Sequence, residues 1–297
     1  MTFAVTESAR TPSATARRIV RVDATPPPTP GFIGQGHEAV EVLSSKALSA
    51  SDPFVLLMDD RLDIEPRRAI GGPHPHAGLE TVTLVLEGSL VDHQEGELGA
   101  GDAVWMTAGR GVIHNEHVEV EGRVRVLQLW IGLPARARFE APALQVLRAN
   151  ELPTLQSEGV FVRLYSGRLG TLRSSTKNHV PVTLAEVSLA AKARVELELP
   201  ASQTGFLYVL SGELAAGPDG RAVRASEVAW LDRPASTSDG VLTLVAGKAG
   251  ARAVLYAGEP QGEALVQHGP FVADSEATIT KFFLEYRRGG FRRVSEL

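Results

Sequence analysis

Two stretches of the sequence resemble each other and decide the fold. Residues 81–90 read Thr-Val-Thr-Leu-Val-Leu-Glu-Gly-Ser-Leu, and residues 205–214 read Gly-Phe-Leu-Tyr-Val-Leu-Ser-Gly-Glu-Leu. Their glycines lie 124 positions apart (212 minus 88), and the tryptophans of the following Asp-Ala-Val-Trp-Met and Glu-Val-Ala-Trp-Leu lie 125 apart (230 minus 105). Two landmarks at nearly one offset indicate a duplicated β domain. The alternative is a chance similarity of two β-hairpins.

The rest of the chain continues this strand pattern. Short runs rich in Val, Leu, Ile and Thr, such as residues 124–130 and 241–245, are separated by many of the 29 glycines and 18 prolines. Many short strands bounded by turn residues are typical of a β-sandwich or barrel. We therefore expect an all-β protein with two tandem domains, residues 1–145 and 146–297. The proline-rich stretch 24–36 cannot join a central ladder and is predicted to be a loop.

One helix is predicted near the C-terminus. Apolar residues recur there at helical spacing, the pair Gly289-Gly290 follows, and Asp274 or Ser275 can cap the first turn. We expect its apolar face to pack against the β domains. The apolar residues are Ile279, Phe282, Phe283 and Tyr286.

Composition excludes several classes of function. Lys and Arg number 30 against 35 Asp and Glu, so the net charge of -5 disfavours direct binding to DNA or RNA. The absence of cysteine excludes disulfides, thiolate nucleophiles and Cys-type zinc sites. No apolar run approaches the ~20 residues that span a bilayer. The basic and acidic residues of the N-terminus argue against a secretory signal. The sequence thus predicts a soluble cytoplasmic protein without a membrane partner, and a monomer is expected.

The histidines suggest a metal site. His74-Pro-His76 places two imidazoles on one face of an extended segment, and His114-Asn-Glu116 places an imidazole and a carboxylate on one face in the same way. Two neighbouring strands could bring these four groups around one point. Three nitrogens and one carboxylate oxygen suit Fe(II), Mn, Co, Ni or Zn, with about two coordination positions left open on an octahedral ion.

The alternative for these residues is a set of surface or core histidines in a stretch rich in loops. A single His-x-His pair would favour that alternative, whereas the second pair favours a metal site. His117 alternates onto the face opposite to His114 and is not expected to be a ligand. His93 follows the hairpin glycine and is read as a loop residue or a group that supports a ligand. The remaining three histidines, which are isolated, receive no role: His37, His179 and His268.

These motifs resemble the signatures of the pirins, a branch of the cupin superfamily. The run His-Pro-His-Ala-Gly-Leu-Glu-Thr-Val-Thr at 74–83 is similar to the first signature. The run Trp-Met-Thr-Ala-Gly-Arg-Gly-Val-Ile-His-Asn-Glu at 105–116 is similar to the second. The likeness extends to 52–57 upstream and to 261–263 and 269–272 downstream, and so covers nearly the whole chain.

The resemblance implies two cupin-type domains and one transition metal ion in the first. It implies Fe(II), with Mn, Co, Ni, Cu or Zn as alternatives, held by His74, His76, His114 and Glu116. General cupins often use the glutamate of the first motif, here Glu80, which is instead expected to support the site or the fold. The second repeat has no histidine around 196–200 or near 239, so its domain is expected to be metal-free.

The resemblance also implies a function. Some pirins are reported to oxidise quercetin, which favours an Fe(II)-dependent dioxygenase acting on flavonols, with Glu116 as the general base. One alternative is an iron-dependent, redox-sensing regulator that binds a transcription factor or a metabolic enzyme without turnover. Another is a metalloenzyme acting on a different substrate. Met106, Ile113 and Leu79 could line the cavity, although barrel core is the favoured interpretation. The segment between Gly88 and Gly101 is shorter than usual in the family, which could change substrate access.

Overall fold

The computed structural model describes residues 15–44, 48–92, 96–115, 118–233 and 238–297. Three residues of the predictions above, His93, Glu116 and His117, lie outside these ranges. No helix within the described ranges is long and apolar enough to cross a membrane.

The elements of the first half are β1 (Thr15–Ala16), β2 (Ile19–Ala24), β3 (Thr29–Pro30), β4 (His37–Leu43), α1 (Leu48–Ser51), β5 (Phe54–Ile70), β6 (Pro73–His76), β7 (Leu79–Glu87), β8 (Ser89–Asp92), β9 (Gly96–Gly99), β10 (Ala103–Thr107), β11 (Val112–Asn115), β12 (Val118–Gly132) and β13 (Ala143–Leu147).

The elements of the second half are β14 (Thr154–Ser157), β15 (Val160–Ser166), β16 (Arg168–Leu169), β17 (Leu172–Arg173), β18 (Val182–Leu189), β19 (Arg194–Leu199), β20 (Thr204–Ala216), β21 (Arg221–Arg224), β22 (Glu227–Leu231), β23 (Gly240–Gly258), β24 (Val266–His268), β25 (Phe271–Ala273), α2 (Glu276–Arg287) and β26 (Arg292–Arg293), followed by a 3₁₀ turn over Val294–Glu296.

Two large sheets organise these strands. One runs in the order β13-β10-β7-β12-β5-β4-β3, with β8 and β9 attached. The other runs β14-β15-β18-β23-β20-β22-β2, with β1, β19 and β21 attached. Each curls around an apolar cluster of its own, and neither is a closed barrel. The prediction of an all-β chain with two β-sandwich units is confirmed.

A third apolar cluster joins the two sheets. The ring of Phe54 from the first sheet lies edge-on to Phe206 of the second, with centroids 5.5 Å apart. Phe206 in turn stacks on Tyr256 at 4.9 Å. At the same interface the Tyr208 hydroxyl donates to Oδ2 of Asp59 over 2.8 Å. The two sheets therefore share a continuous core, and we expect them to stabilise each other.

The repeat seen in the sequence recurs in the backbone. Trp105 on β10 pairs with a residue of β7, and Trp230 on β22 pairs with a residue of β20. Gly88 and Gly212 both have left-handed φ, 73° and 75°. A Cβ at either position would lie 2.2 Å or 2.1 Å from a carbonyl oxygen of the neighbouring long strand. Only glycine allows this close approach, so Gly88 and Gly212 have the same structural role in the two halves.

Strands near both ends of the described chain pair with the opposite half of the molecule. Strands β1 and β2 pair within the second sheet, whereas β26 pairs in parallel with β11 of the first half. Ala77 forms a bridge with Phe271, and helix α2 packs Ile279 and Phe282 into the same apolar cluster. The predicted domain boundary between residues 145 and 146 stays a prediction. The first two strands pair beyond it with the second half, and β26 pairs beyond it with the first half.

The predicted C-terminal helix is confirmed. The Ser275 hydroxyl accepts a hydrogen bond from the Thr278 N–H and so caps the first turn. Gly289, with φ 74°, follows the last turn. The predicted loop over 24–36 is wrong at Ala24, the last residue of β2, and at Thr29 and Pro30, which form a two-residue strand against β4. An edge strand tolerates proline because one side of it needs no partner.

Candidate metal centre

Three of the predicted ligand residues lie on one pair of antiparallel strands. Strands β6 and β11 form a small sheet with β26, and His74 lies directly opposite His114 in it. His76 lies two residues further along β6, so strand alternation turns its side chain to the same face as His74. The alternation of side chains along these two strands, which is visible in the sequence, therefore predicts the geometry that the three residues have.

The three imidazoles converge closely. One ring nitrogen from each of His74, His76 and His114 lies within 4.8 Å of the others. His76 and His114 are only 3% and 4% exposed, and His74 is half-buried. The Nδ1 of His74 lies 2.8 Å from the Gly72 carbonyl oxygen. A proton on that nitrogen leaves Nε2 as a lone-pair donor, which is the arrangement that metal-binding histidines use.

Burial keeps the His76 imidazole neutral. Burial is the largest cause, and together with the nearby rings of His74 and His114 it lowers the pKa of His76 to about 3. The Nδ1 of His76 is also buried without a hydrogen-bond partner, and such a group is costly unless something binds it. Neutral, clustered imidazole nitrogens are the donors that transition metals prefer. The cluster therefore suits a metal ion, while the donor set is common to several metals.

A cleft opens beside the histidines. It has a volume of about 780 Å³, within the range of small-molecule sites. A smaller chamber of about 90 Å³ contains His114 in its wall. The two cavities adjoin, because they share five of their lining residues: Phe32, Ile33, Ile70, Gly71 and Gln128.

Sequence reasoning missed the wall of this cleft. Gln128 and Trp130 are alternate residues of β12, and both line the cleft. The Trp130 ring lies edge-on to His76, with centroids 5.2 Å apart and an interplanar angle of 82°. Gln128 is a polar residue between Leu127 and Leu129, which are buried on the opposite face. A single polar residue in an apolar run was the sequence signal that could have identified this wall.

Glu80 lies away from the clustered imidazoles. Its Oε1 accepts hydrogen bonds from the Thr107 hydroxyl at 2.9 Å and from the His179 N–H at 3.2 Å. Burial raises the pKa of Glu80 to about 7, against the lowering effect of these hydrogen bonds. The carboxyl thus contacts the second half of the chain. Met106 and Leu79 are fully buried in the core, which agrees with the interpretation favoured from the sequence.

The fold and this centre define the class of protein as a two-domain cupin with a histidine cluster in its first domain. The family model described as Pirin matches residues 36–131, and the one described as Pirin C-terminal cupin domain matches 184–292. Human pirin is 33% identical over 271 residues, which cover 88% of this chain and 91% of that protein. The chain belongs to the pirin family.

Two solved structures show the same architecture. A protein of Geobacillus kaustophilus is 35% identical, with a TM-score of 0.73 over 84% of this chain and 99% of that one. Quercetin 2,3-dioxygenase from Acinetobacter baumannii is 25% identical, with a TM-score of 0.80 over 94% of this chain and 99% of that one. The predictions of a pirin and of a two-domain cupin fold are therefore confirmed.

Proposed function

We propose that this chain is an Fe(II)-dependent dioxygenase that acts on quercetin-like flavonols. The observation that carries the proposal is the convergence of three imidazoles beside a cleft large enough for a three-ring molecule, with two of them on its wall and the third on the wall of the adjoining chamber. The similarity to quercetin 2,3-dioxygenase from Acinetobacter baumannii supports the choice of substrate. A cytoplasmic location stays a prediction.

In this proposal His74, His76 and His114 hold the metal ion. Glu116, which lies outside the described residues, is the fourth ligand by its place in the second signature. Bound Fe(II) supplies the redox chemistry between an electron-rich substrate and dioxygen. The Gly72 carbonyl fixes the tautomer of His74, and the backbone pairing of β6 with β11 holds the imidazoles together.

The chain's own residues then bind and deprotonate the substrate. The apolar and aromatic side chains of the cleft, among them Ile70 and Trp130, exclude water from a flat aromatic ligand. The Glu116 carboxylate accepts the proton of the flavonol 3-hydroxyl as the general base. The same carboxylate thus has two roles, as a ligand and as a base.

The test is aerobic turnover of quercetin by the iron-loaded protein. We expect flavonol absorbance and dissolved oxygen to fall together, faster than with free Fe(II). Glu116→Gln keeps an oxygen donor but removes most of the basicity, so at matched iron content turnover should fall by about 10²–10⁴. Equal rates in both proteins would refute the assigned base. No consumption above free Fe(II) in the wild type would refute the dioxygenase and favour a regulator that binds a protein partner.

A further inference from the structure

A glycine-rich loop lies at the cleft beside the histidines. It connects β3 to β4 over residues 31–36, and its turn is closed by backbone hydrogen bonds. The Gly31 N–H donates to the His37 carbonyl at 2.8 Å, and the His37 N–H donates to the Gly34 carbonyl at 3.1 Å. Phe32 and Ile33 from this loop line both the large cleft and the chamber behind it. The loop is therefore part of the wall of the candidate site.

Phe32 is unusual among the large apolar residues of the described chain. It is 84% exposed, the highest value among them, although it lines a cleft whose other walls are largely apolar. An aromatic ring at this place gains further apolar contact when a ligand occupies the cleft. A planar aromatic ligand would supply such a surface.

His37 holds the loop in this position. Its imidazole is 3% exposed, with Nε2 2.8 Å from Oδ1 of Asp60 on β5. Its Nδ1 accepts a hydrogen bond from the Ile33 N–H at 3.3 Å, so the proton lies on Nε2 and is donated to Asp60. The same ring lies edge-on to Phe32, with centroids 5.4 Å apart.

The fit between the loop and this imidazole is close. A Cβ on Gly31 would lie 2.1 Å from Nδ1 of His37, so the backbone of residue 31 packs directly on the ring. Ile33 packs into the apolar cluster of the first domain. One buried histidine thus ties the loop to β5, and Phe32 is left at the rim of the cleft.

We propose that Phe32 determines the specificity of this cleft for ligands with extended planar aromatic rings, and that His37 and Asp60 are positioning residues for it. The inference rests on the proposed function, since it names the residue that selects the substrate class. His37 does not touch the reacting atoms in this view. It acts through the loop.

The experiment compares two ligands with the same chelating oxygens and different ring systems. Quercetin has three rings, whereas maltol has the adjacent hydroxyl and carbonyl on a single ring. Dissociation constants are measured without oxygen, by absorbance, on iron-loaded protein. In Phe32→Ala we expect the Kd for quercetin to rise about 10-fold while that for maltol changes less than about 2-fold. Phe32→Trp should restore quercetin binding, and Phe139→Ala, an exposed phenylalanine away from the cleft, should leave both ligands unchanged.

Positioning by His37 is tested in the same assay and by proteolysis. His37→Ala should weaken quercetin binding as Phe32→Ala does, raise KM with little change in kcat, and speed chymotrypsin cleavage after residue 32. Asp60→Asn keeps an oxygen acceptor for the imidazole N–H and should stay within about 2-fold of wild type. If His37→Ala fails to fold, Asp60→Ala removes the same contact.

The outcomes separate this inference from the proposed function. Equal weakening of quercetin and maltol in Phe32→Ala, or unchanged quercetin binding, overturns the role of Phe32. Wild-type protein that binds quercetin no more tightly than maltol overturns it as well. If the contrast between ligands holds but quercetin is not oxidised, the role of Phe32 stands and the dioxygenase proposal falls.

Discussion

The two domains carry the same strand pair at matching positions but different side chains on it. In the first domain His74 pairs with His114 across β6 and β11. Adding the repeat offset of 125 to both gives residues 199 and 239, and the second domain pairs Leu199 with Gly240 across β19 and β23. The register thus agrees to within one residue. Where the first domain has imidazoles, the second has an aliphatic residue, a glycine and the adjacent Asp239.

The second domain fills this place with an ion pair. The Asp239 carboxylate accepts a hydrogen bond from the Arg168 guanidinium, which lowers the pKa of Asp239, and the backbone of Ala201 adds to the lowering. The carboxylate is therefore already paired within the protein, whereas His76 has a buried nitrogen without a partner. The two domains show that one backbone can support a histidine cluster or an ion pair, and that a few side chains decide between them.

The largest expected effect follows from removing one imidazole. His114→Ala should lower metal affinity by more than about 100-fold, because a ligand is lost from the set. Asp239→Ala, at the matching place of the second domain, should leave about one metal ion per chain. Competition with a chelator and elemental analysis measure both quantities. His117→Ala, predicted to face away, should also retain metal. Two tightly bound ions per wild-type chain would contradict the comparison.

The second-largest effect is expected at Glu80, which lies near the start of β7. The matching position in the repeated strand β20 is Thr204 (80 plus 124). The pKa of Glu80 is raised from 4.5 to about 7 in the folded protein. The stabilisation linked to its proton is therefore full below about pH 4.5 and lost as the pH rises through 7. Its size is on the order of 3 kcal/mol.

Glu80→Gln keeps an acceptor for Thr107 and His179 but does not titrate. Between pH 5 and pH 8, the free energy of unfolding should therefore fall more in wild type than in Glu80→Gln. Urea denaturation at both pH values gives this difference, and Thr204→Ser serves as the matched control with the wild-type pH response. An identical pH response in wild type and Glu80→Gln would show that the carboxyl is not protonated in the folded state.

The smallest effect is expected at the ion pair of the second domain. Arg168→Ala should lower the free energy of unfolding by about 1 kcal/mol and leave metal affinity unchanged, since both side chains are partly exposed. Arg194→Ala breaks a more exposed pair with Glu196 and should cost less than about 0.5 kcal/mol. A double-mutant cycle with Asp239→Ala isolates the pair. A change in metal binding in Arg168→Ala would mean that the two domains are coupled at these positions.

Much of the fold follows from local sequence signals. The alternation in residues 81–86, the glycines at 88 and 212 and the capped helix at 276–287 each depend on neighbours in the chain. The clustering of His74, His76 and His114 is predictable for the same reason, since strand alternation and one pairing suffice. These features need little knowledge of the tertiary structure.

The remaining features depend on distant contacts. Nothing near Phe32 or His37 in the sequence shows that the loop lies beside the histidines, because Asp60 and the cleft wall come from other strands. The contact of Glu80 with His179 joins two halves of the chain. The pairing of β26 with β11 likewise has no local signal.

That last pairing has a consequence for the order of folding. Val112 and Ile113, next to His114, pair with Arg292 and Arg293, which lie 180 residues further along the chain (292 minus 112). Contacts between residues far apart in sequence form late, because closing the long loop between them costs conformational entropy. We therefore expect β26 to join the small sheet of His74 and His114 after the hairpins within each large sheet have formed.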